Sequence, residues 1–162
     1  MKSFGFARTR VVGLAALAVA LLPAASCGNP FSPSQNTNLP FSYTDVTVGT
    51  GPEVVVYSTV IIDYAGYLYD ASKTNNQGLL IDSSLSTQPL YVTVGAGQVI
   101  PGMELGLLGM KLGGFRRLII PPDLAYGAAG RYPVPKNATL VFDISLLGVS
   151  VPQTTTSSTS SH

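Results

Sequence analysis

The sequence predicts an α+β domain: a strongly bent antiparallel sheet of about five strands wrapped over one short α-helix. Three observations carry this reading. Residues 138–149, ATLVFDISLLGV, alternate, with Leu140, Phe142, Ile144 and Leu146 on one face and Val141, Asp143 and Ser145 on the other. That period of two marks a half-buried strand. Shorter β-branched and aromatic runs lie between glycine- and proline-rich turns. A single segment, 101–110, suits a helix.

In chain order, residues 42–49 (SYTDVTVG) alternate and end in a glycine turn. Residues 54–68, just after Pro52, form one long β-branched and aromatic run. Residues 90–94 (LYVTV) and 115–120 (FRRLII) read as further strands. In 101–110, Pro101 fits a first helical turn, and Met103, Leu107 and Met110 repeat at helical spacing, with Leu105 and Leu108 nearby. Gly106 and Gly109 weaken this helix, so it should be short and held by packing. No internal repeat is present.

The ends are not part of this domain. Residues 1–10 carry Lys2, Arg8 and Arg10 and no acid, and the apolar run VVGLAALAVALL follows at 11–22. Small residues, PAASC, end at Cys27. A basic start, a short apolar core and small residues describe a secretory signal over 1–27, too short to span a bilayer comfortably. Cys27 is the only cysteine, so no intrachain disulfide can form. Its setting after Ala24-Ala25-Ser26 resembles the lipobox of bacterial lipoproteins, with Ala24 where that family usually has leucine. The resemblance implies acylation at Cys27 and a membrane-anchored, exported protein facing the periplasm or the cell exterior. The alternative is an ordinary signal cut nearby that leaves a free thiol. Residues 28–40, GNPFSPSQNTNLP, read as a flexible tether, and the Ser/Thr-rich residues 151–162 as a disordered tail. The domain is then 41–150.

Charge and histidine content exclude several function classes. Without the leader, six basic residues face eight acidic ones, a net charge of −2. No basic stripe exists to hold nucleic acid. The one histidine is His162, the last residue. A Ser-His-Asp triad, a Cys-His pair and a histidine metal site are therefore excluded. No cofactor or metal is expected. Chemistry must come from carboxylates, tyrosines, backbone groups or an apolar pocket.

The stretch GAGQVIPGME, 95–104, raises a nucleotide reading, because Gly97 and Gly102 have the spacing of a phosphate loop. A phosphate loop needs Lys and Ser or Thr after its last glycine; here Met103 and Glu104 follow. The dinucleotide fingerprint needs a glycine where Ile100 stands. These glycines make turns and permit close backbone approach.

The stretch instead resembles the strand, G-x-x-x-V-I-x-G turn and short helix of the FKBP family, the immunophilin-type peptidyl-prolyl cis-trans isomerases, at Gly95, Val99, Ile100 and Gly102. Residues 62–70 (IDYAGYLYD), 81–84 (IDSS), 121–130 (PPDLAYGAAG) and 137–148 (NATLVFDISLLG) resemble further family segments in the same order. The resemblance covers about 42–150. It implies an FKBP-like fold and rotation about X-Pro bonds without covalent catalysis.

By this resemblance Tyr64, Asp82, Val99, Ile100, Tyr126, Val134 and Phe142 line a proline pocket. Tyr64 and Phe142 would wall it. The Ile100 N–H and the Tyr126 hydroxyl would each bond a substrate carbonyl, and Asp82 would orient the Tyr64 hydroxyl. Taken alone, Tyr64 and Phe142 also fit as plain core, Asp82 as a turn residue, and Tyr126 as an anchor for its own loop.

The chain departs from the family at three pocket positions. Met103 stands where tryptophan is usual, and Ile81 and Leu90 where phenylalanine is usual. The pocket stays apolar, but lost flat surfaces imply lower activity or altered sequence preference. Weaker binding of tacrolimus and rapamycin follows too. Residues 70–80, DASKTNNQGLL, look like an insertion between strands. Two function hypotheses remain: a membrane-tethered, monomeric prolyl isomerase and folding helper for proline-containing exported clients, and a chaperone or partner-binding module with weak or no turnover.

Overall fold

The computed structural model describes residues 39–85 and 87–152. The leader, Cys27, most of the tether and nearly all of the tail lie outside the described residues. The elements are β1 (Ser42–Thr47), β2 (Thr59–Tyr69), β3 (Gln77–Ser83), β4 (Leu90–Thr93), α1 (Pro101–Leu107), β5 (Phe115–Ile120) and β6 (Leu140–Ser150). They form a six-stranded sheet in the order β1-β5-β6-β2-β3, with β4 also paired to β2. Every pairing is antiparallel.

β6 follows its period: Leu140, Phe142, Ile144 and Leu146 are all buried on the inner face. β5 alternates in the same way, with Arg116, Leu118 and Ile120 inward. Val60, Ile62, Val92, Val94, Met103, Leu107 and Met110 complete the core between sheet and helix. On the outer face Arg117 forms a bidentate pair with Asp143 at 2.7 and 2.8 Å, and Gln77 donates to the same carboxylate at 2.7 Å. That bond raises the Arg117 pKa further, against a smaller opposing effect of burial.

The sheet has six strands where about five were expected. Only residues 70–76 connect β2 to the next strand, with a short 3-10 turn at Thr74–Asn76. Residues 77–83 are β3, an edge strand on β2. Leu79 and Leu80 of β3 are both exposed, so the strand lacks the alternation that would reveal it. The run 54–68 is also not one strand. Val54 is core, but Tyr57 has a φ of 67°, and β2 begins at Thr59. The buried Ser58 fixes this turn: its Oγ accepts from the Val55 N–H, and Ser58 N–H donates to the Val55 carbonyl. In β1 the expected alternation leaves no buried face, since all its residues are exposed.

Helix α1 ends at Leu107 rather than Met110; Gly109 beyond it takes a φ of 72°. Its glycines have a packing role. A Cβ on Gly102 would overlap the Ile120 side chain, and one on Gly106 the Leu118 side chain. The two glycines, one turn apart, let the helix backbone lie on β5. The buried Arg116 closes the other end. Its Nη1 donates to the Gly106 and Leu108 carbonyls, both at 2.9 Å, and its Nε and Nη2 to Asp45 of β1 at 2.6 and 3.1 Å. The Tyr43 ring stacks on the guanidinium at 4.1 Å.

Gly106→Ala should therefore destabilise the fold. Helix propensity favours alanine by about 1 kcal/mol, but overpacking a closed core costs about 1–3 kcal/mol. We expect a net loss of up to about 2 kcal/mol in a urea melt. An unchanged or raised midpoint would show that the helix is free to lift off Leu118.

Candidate active site

The site forms where sheet pairing stops. One edge of β2 is paired throughout with β6. The other is shared: residues 59–62 pair with β4 and residues 65–69 with β3. Asp63 and Tyr64 fall in the gap between them. Ser84, just after β3, replaces the missing ladder. Its N–H donates to the Tyr64 carbonyl at 3.0 Å, and its Oγ accepts from the Tyr64 N–H at 2.9 Å and donates to Asp63 at 2.9 Å. Asp82 fixes the other end of Tyr64, whose hydroxyl donates to Asp82 Oδ2 at 2.8 Å. The second oxygen, Oδ1, accepts the Ser83 N–H at 2.9 Å. Asp82 is thus both the turn residue and the tyrosine partner.

Phe142, directly opposite Gly66 in the β2–β6 register, leans over it. A Cβ at Gly66 would lie 2.6 Å from Phe142 Cε1. The missing side chain lets the ring lie flat against β2, with its centroid 6.0 Å from that of Tyr64 and the planes at 38°. The helix supplies the rest of the boundary. Met103 is buried against the core, while Val99 and Ile100 precede α1 and are half-buried. Among the described residues the Ile100 N–H has no hydrogen-bond acceptor, nor does the Tyr126 hydroxyl a partner.

The glycine loop is held from within. Gly97 N–H donates to Glu104 Oε1 at 2.8 Å, and Thr93 N–H to Gln98 Oε1 at 2.6 Å. The carboxylate of Glu104 occupies an amide that a phosphate loop would turn toward its ligand.

A cleft of about 360 Å³ results, bounded by Tyr64, Asp82, Leu90, Val99, Ile100, Met103, Tyr126, Arg131 and Phe142, with Gly97 and Gln98 at its rim. Eight of the ten residues singled out from the sequence border it. Ile81 and Val134 instead line an adjoining hollow of about 230 Å³, with Asp82, Tyr126, Arg131, Tyr132, Pro133 and Phe142. Val134 is buried and mainly core. Ser84, Gly66 and Arg131 were not singled out from the sequence. Gly66 was within reach of it, as part of the Tyr64-x-Gly66 signature. Among the described residues no three His, Cys, Asp or Glu side chains gather as a metal site requires.

Burial, and then the bond to Asp82, push the Tyr64 pKa up from 10.0 to about 12. The phenol is neutral across the physiological range, and its proton is committed to Asp82.

A bent antiparallel sheet, a short crossing helix and a cleft with aromatic and aliphatic walls beside a tyrosine–carboxylate pair define an immunophilin-type domain. Residues 51–147 match the family model described as FKBP-type peptidyl-prolyl cis-trans isomerase, more than half of the chain, and the chain belongs to that family. It is 46% identical over 105 residues to FK506-binding protein 4 of Chaetomium thermophilum, covering 65% of this chain but 20% of that protein. It is 43% identical over 107 residues to an FK506-binding protein of Neisseria meningitidis, covering 65% of this chain and 92% of the relative. The chain spans only a fifth to about a quarter of several of its curated relatives, 20% to 27% of their length. Among solved structures, it is similar to FkpA from Escherichia coli (TM-score 0.59, 39% identity, 68% of this chain and 48% of that one). It is also similar to AtFKBP13 (TM-score 0.59, 33% identity, 68% and 93%).

The Tyr64 shift predicts an alkaline effect. A phenol whose pKa is raised by folding adds stability that is intact below pH 10 and lost between pH 10 and about 12, as the unfolded chain ionises first. The difference in stability between the native protein and Tyr64→Phe should shrink across that window. Asp82→Ala should lower the Tyr64 pKa only in part, because burial is the larger cause. Tyrosinate absorbance, read against Tyr64→Phe, checks this; a Tyr64 pKa of about 10 in the native protein would refute the partial burial of the phenol and its bond to Asp82.

Proposed function

We infer that this chain is a peptidyl-prolyl cis-trans isomerase that accelerates rotation about X-Pro bonds in exported proteins. The reading rests chiefly on one observation: the aromatic pair Tyr64–Phe142 and Ile100, whose N–H has no acceptor among the described residues, line the same cleft. Uncatalysed rotation crosses about 18–20 kcal/mol and takes tens to hundreds of seconds. No bond breaks, so neither a nucleophile nor a cofactor is required.

The planar amide is more polar than the twisted one. A cleft floored by Met103 and walled by Tyr64, Phe142, Leu90 and Val99 disfavours the planar form relative to the twisted form. The Ile100 N–H and the Tyr126 hydroxyl are free to donate to substrate carbonyls flanking the rotating bond. Asp82 accepts the hydrogen bond of the Tyr64 hydroxyl, which leaves the Tyr64 oxygen able only to accept from a substrate. Each 1.4 kcal/mol by which these contacts favour the twisted form gives about a tenfold rate gain.

The same cleft should take FK506 (tacrolimus) and rapamycin, but weakly, since Met103 and Leu90 in it, and Ile81 in the adjoining hollow, offer no flat ring surface. We further propose a monomer anchored through acylated Cys27 on the exported side of a membrane. Support for the anchor comes from the sequence of the leader alone.

Cis-to-trans conversion of short X-Pro peptides should be accelerated by the protein. We expect a loss of about tenfold or more in kcat/KM for Phe142→Leu, and a smaller loss for Tyr126→Phe. Both variants are checked for folding by circular dichroism. Full activity in both folded variants would remove the cleft from the mechanism. A folded native protein with no activity toward any X would favour the binding-module reading, with the aliphatic replacements at 81, 90 and 103 as its cause. The anchor is tested by intact mass. A chain starting at Cys27 with added acyl groups is expected from the membrane fraction of its own cells; an unmodified chain starting elsewhere would end the lipoprotein proposal.

A further inference from the structure

The cleft carries one cation that the proposed isomerase chemistry does not use. Of the arginines in the described residues, Arg116 and Arg117 are each held bidentately by an aspartate. The Arg131 guanidinium has no acceptor and no carboxylate partner among the described residues. It is exposed, and its one side-chain contact of this kind is with the Tyr126 ring, 5.8 Å from the centroid. It lines both the main cleft and the adjoining hollow. Arg131 and Asp82 are the charged side chains that line these two spaces.

The two charges are not equally available. Both Asp82 oxygens already accept bonds, from the Tyr64 hydroxyl and the Ser83 N–H. Arg131 keeps all of its guanidinium donors, in a planar fork that matches a carboxylate. Its backbone is fixed by a two-way exchange with Val134, Arg131 N–H to the Val134 carbonyl and Val134 N–H to the Arg131 carbonyl. The fork therefore projects from a closed loop beside the place where a substrate's flanking residues must pass. A basic substrate residue would meet an aspartate already bonded; an acidic one would meet an empty fork.

We propose that Arg131 is a specificity-determining residue, and that this cleft prefers X-Pro sites with a glutamate or aspartate within about one residue of the pair. This rests on the isomerase reading and names its substrate class. The carboxylate would be gripped in the adjoining hollow, between Arg131 and the exposed Tyr132, while the proline ring lies over Met103.

The test uses matched peptides with Glu, Gln or Lys before X, at X, or after the proline. The readout is the Glu/Gln ratio of kcat/KM within each protein, which is independent of that protein's basal rate. For the native protein we expect a ratio of about three to ten at one or more positions in low salt, falling toward one as salt is added. Arg131→Gln should bring the ratio to about one, and Arg131→Glu should make Lys the favoured residue. A native ratio near one at all three positions, or a ratio unchanged in Arg131→Gln, overturns the proposal. Acceleration of the Gln peptides reports the isomerase reading separately. If no peptide is accelerated, that reading fails, and the same ratios are taken from dissociation constants measured by titration of labelled peptides, with the same criteria.

Discussion

The close contact between α1 and β5 is the constraint on which the rest depends. A seven-residue helix containing two glycines cannot persist by itself. Gly102 and Gly106 give up local propensity and in return let the helix backbone settle onto Ile120 and Leu118. Arg116 then satisfies carbonyls at the helix end and ties them to Asp45 of the edge strand β1. Local weakness and tertiary strength come from the same residues. Because the helix sits this close, Met103 becomes a floor and the Ile100 amide a rim group of the cleft, instead of both lying a side chain's depth away.

A second constraint is the interruption on the free edge of β2. A continuous edge partner would cover Asp63 and Tyr64 and close the cleft from that side. Splitting the edge between β4 and β3 leaves two residues without a ladder, and buried backbone groups cannot be left unpaired cheaply. Ser84 takes both backbone groups of Tyr64, and Asp82 takes its hydroxyl. Tyr64 is therefore held at both ends while its ring faces the opening. Gly66, two residues on, is where the Phe142 ring settles against the strand. Strand break, tyrosine, glycine and phenylalanine act as one local device.

What was legible in the sequence follows from these constraints. β6 keeps a hydrophobic period of two and was readable from pattern alone; β5 buries every second residue, but Arg116 is one of them, so its sequence shows no such alternation. The helix was readable from Met103, Leu107 and Pro101, but its glycines looked like faults, because their value lies in a contact with β5 that pattern does not carry. β3 was hidden: it is an edge strand with two exposed leucines and no alternating face, and it took the appearance of an insertion. The run 54–58 has strand composition, yet Ser58 folds it into a turn. The Tyr64–Asp82 pair was reachable only through family resemblance, since nothing local in IDSS points to a tyrosine 18 residues earlier. Arg131 gave no signal at all. An unpaired arginine is recognisable only once the partners of the other arginines are known.

The direction of each hydrogen bond decides what the cleft can hold. A prolyl amide has no N–H, so the groups flanking the rotating bond present mainly acceptors. A cleft full of acceptors would repel them. Tyr64, left alone, could donate, but its hydroxyl already donates to Asp82, and a pKa of about 12 keeps the proton on the phenol. Beside the Arg131 guanidinium, donation is left to the Ile100 amide and the Tyr126 hydroxyl, neither of which has another partner among the described residues. These two lie on different loops, one before the helix and one after β5. On the isomerase reading, a peptide that satisfies both would cross the aromatic pair with its proline against Met103. The aliphatic replacements at 81, 90 and 103 leave these polar groups in place and change the shape of the walls around them. On the isomerase reading, the donors and the exclusion of water carry the rate, and the flat aromatic surfaces this chain lacks bear on which ligands stack well.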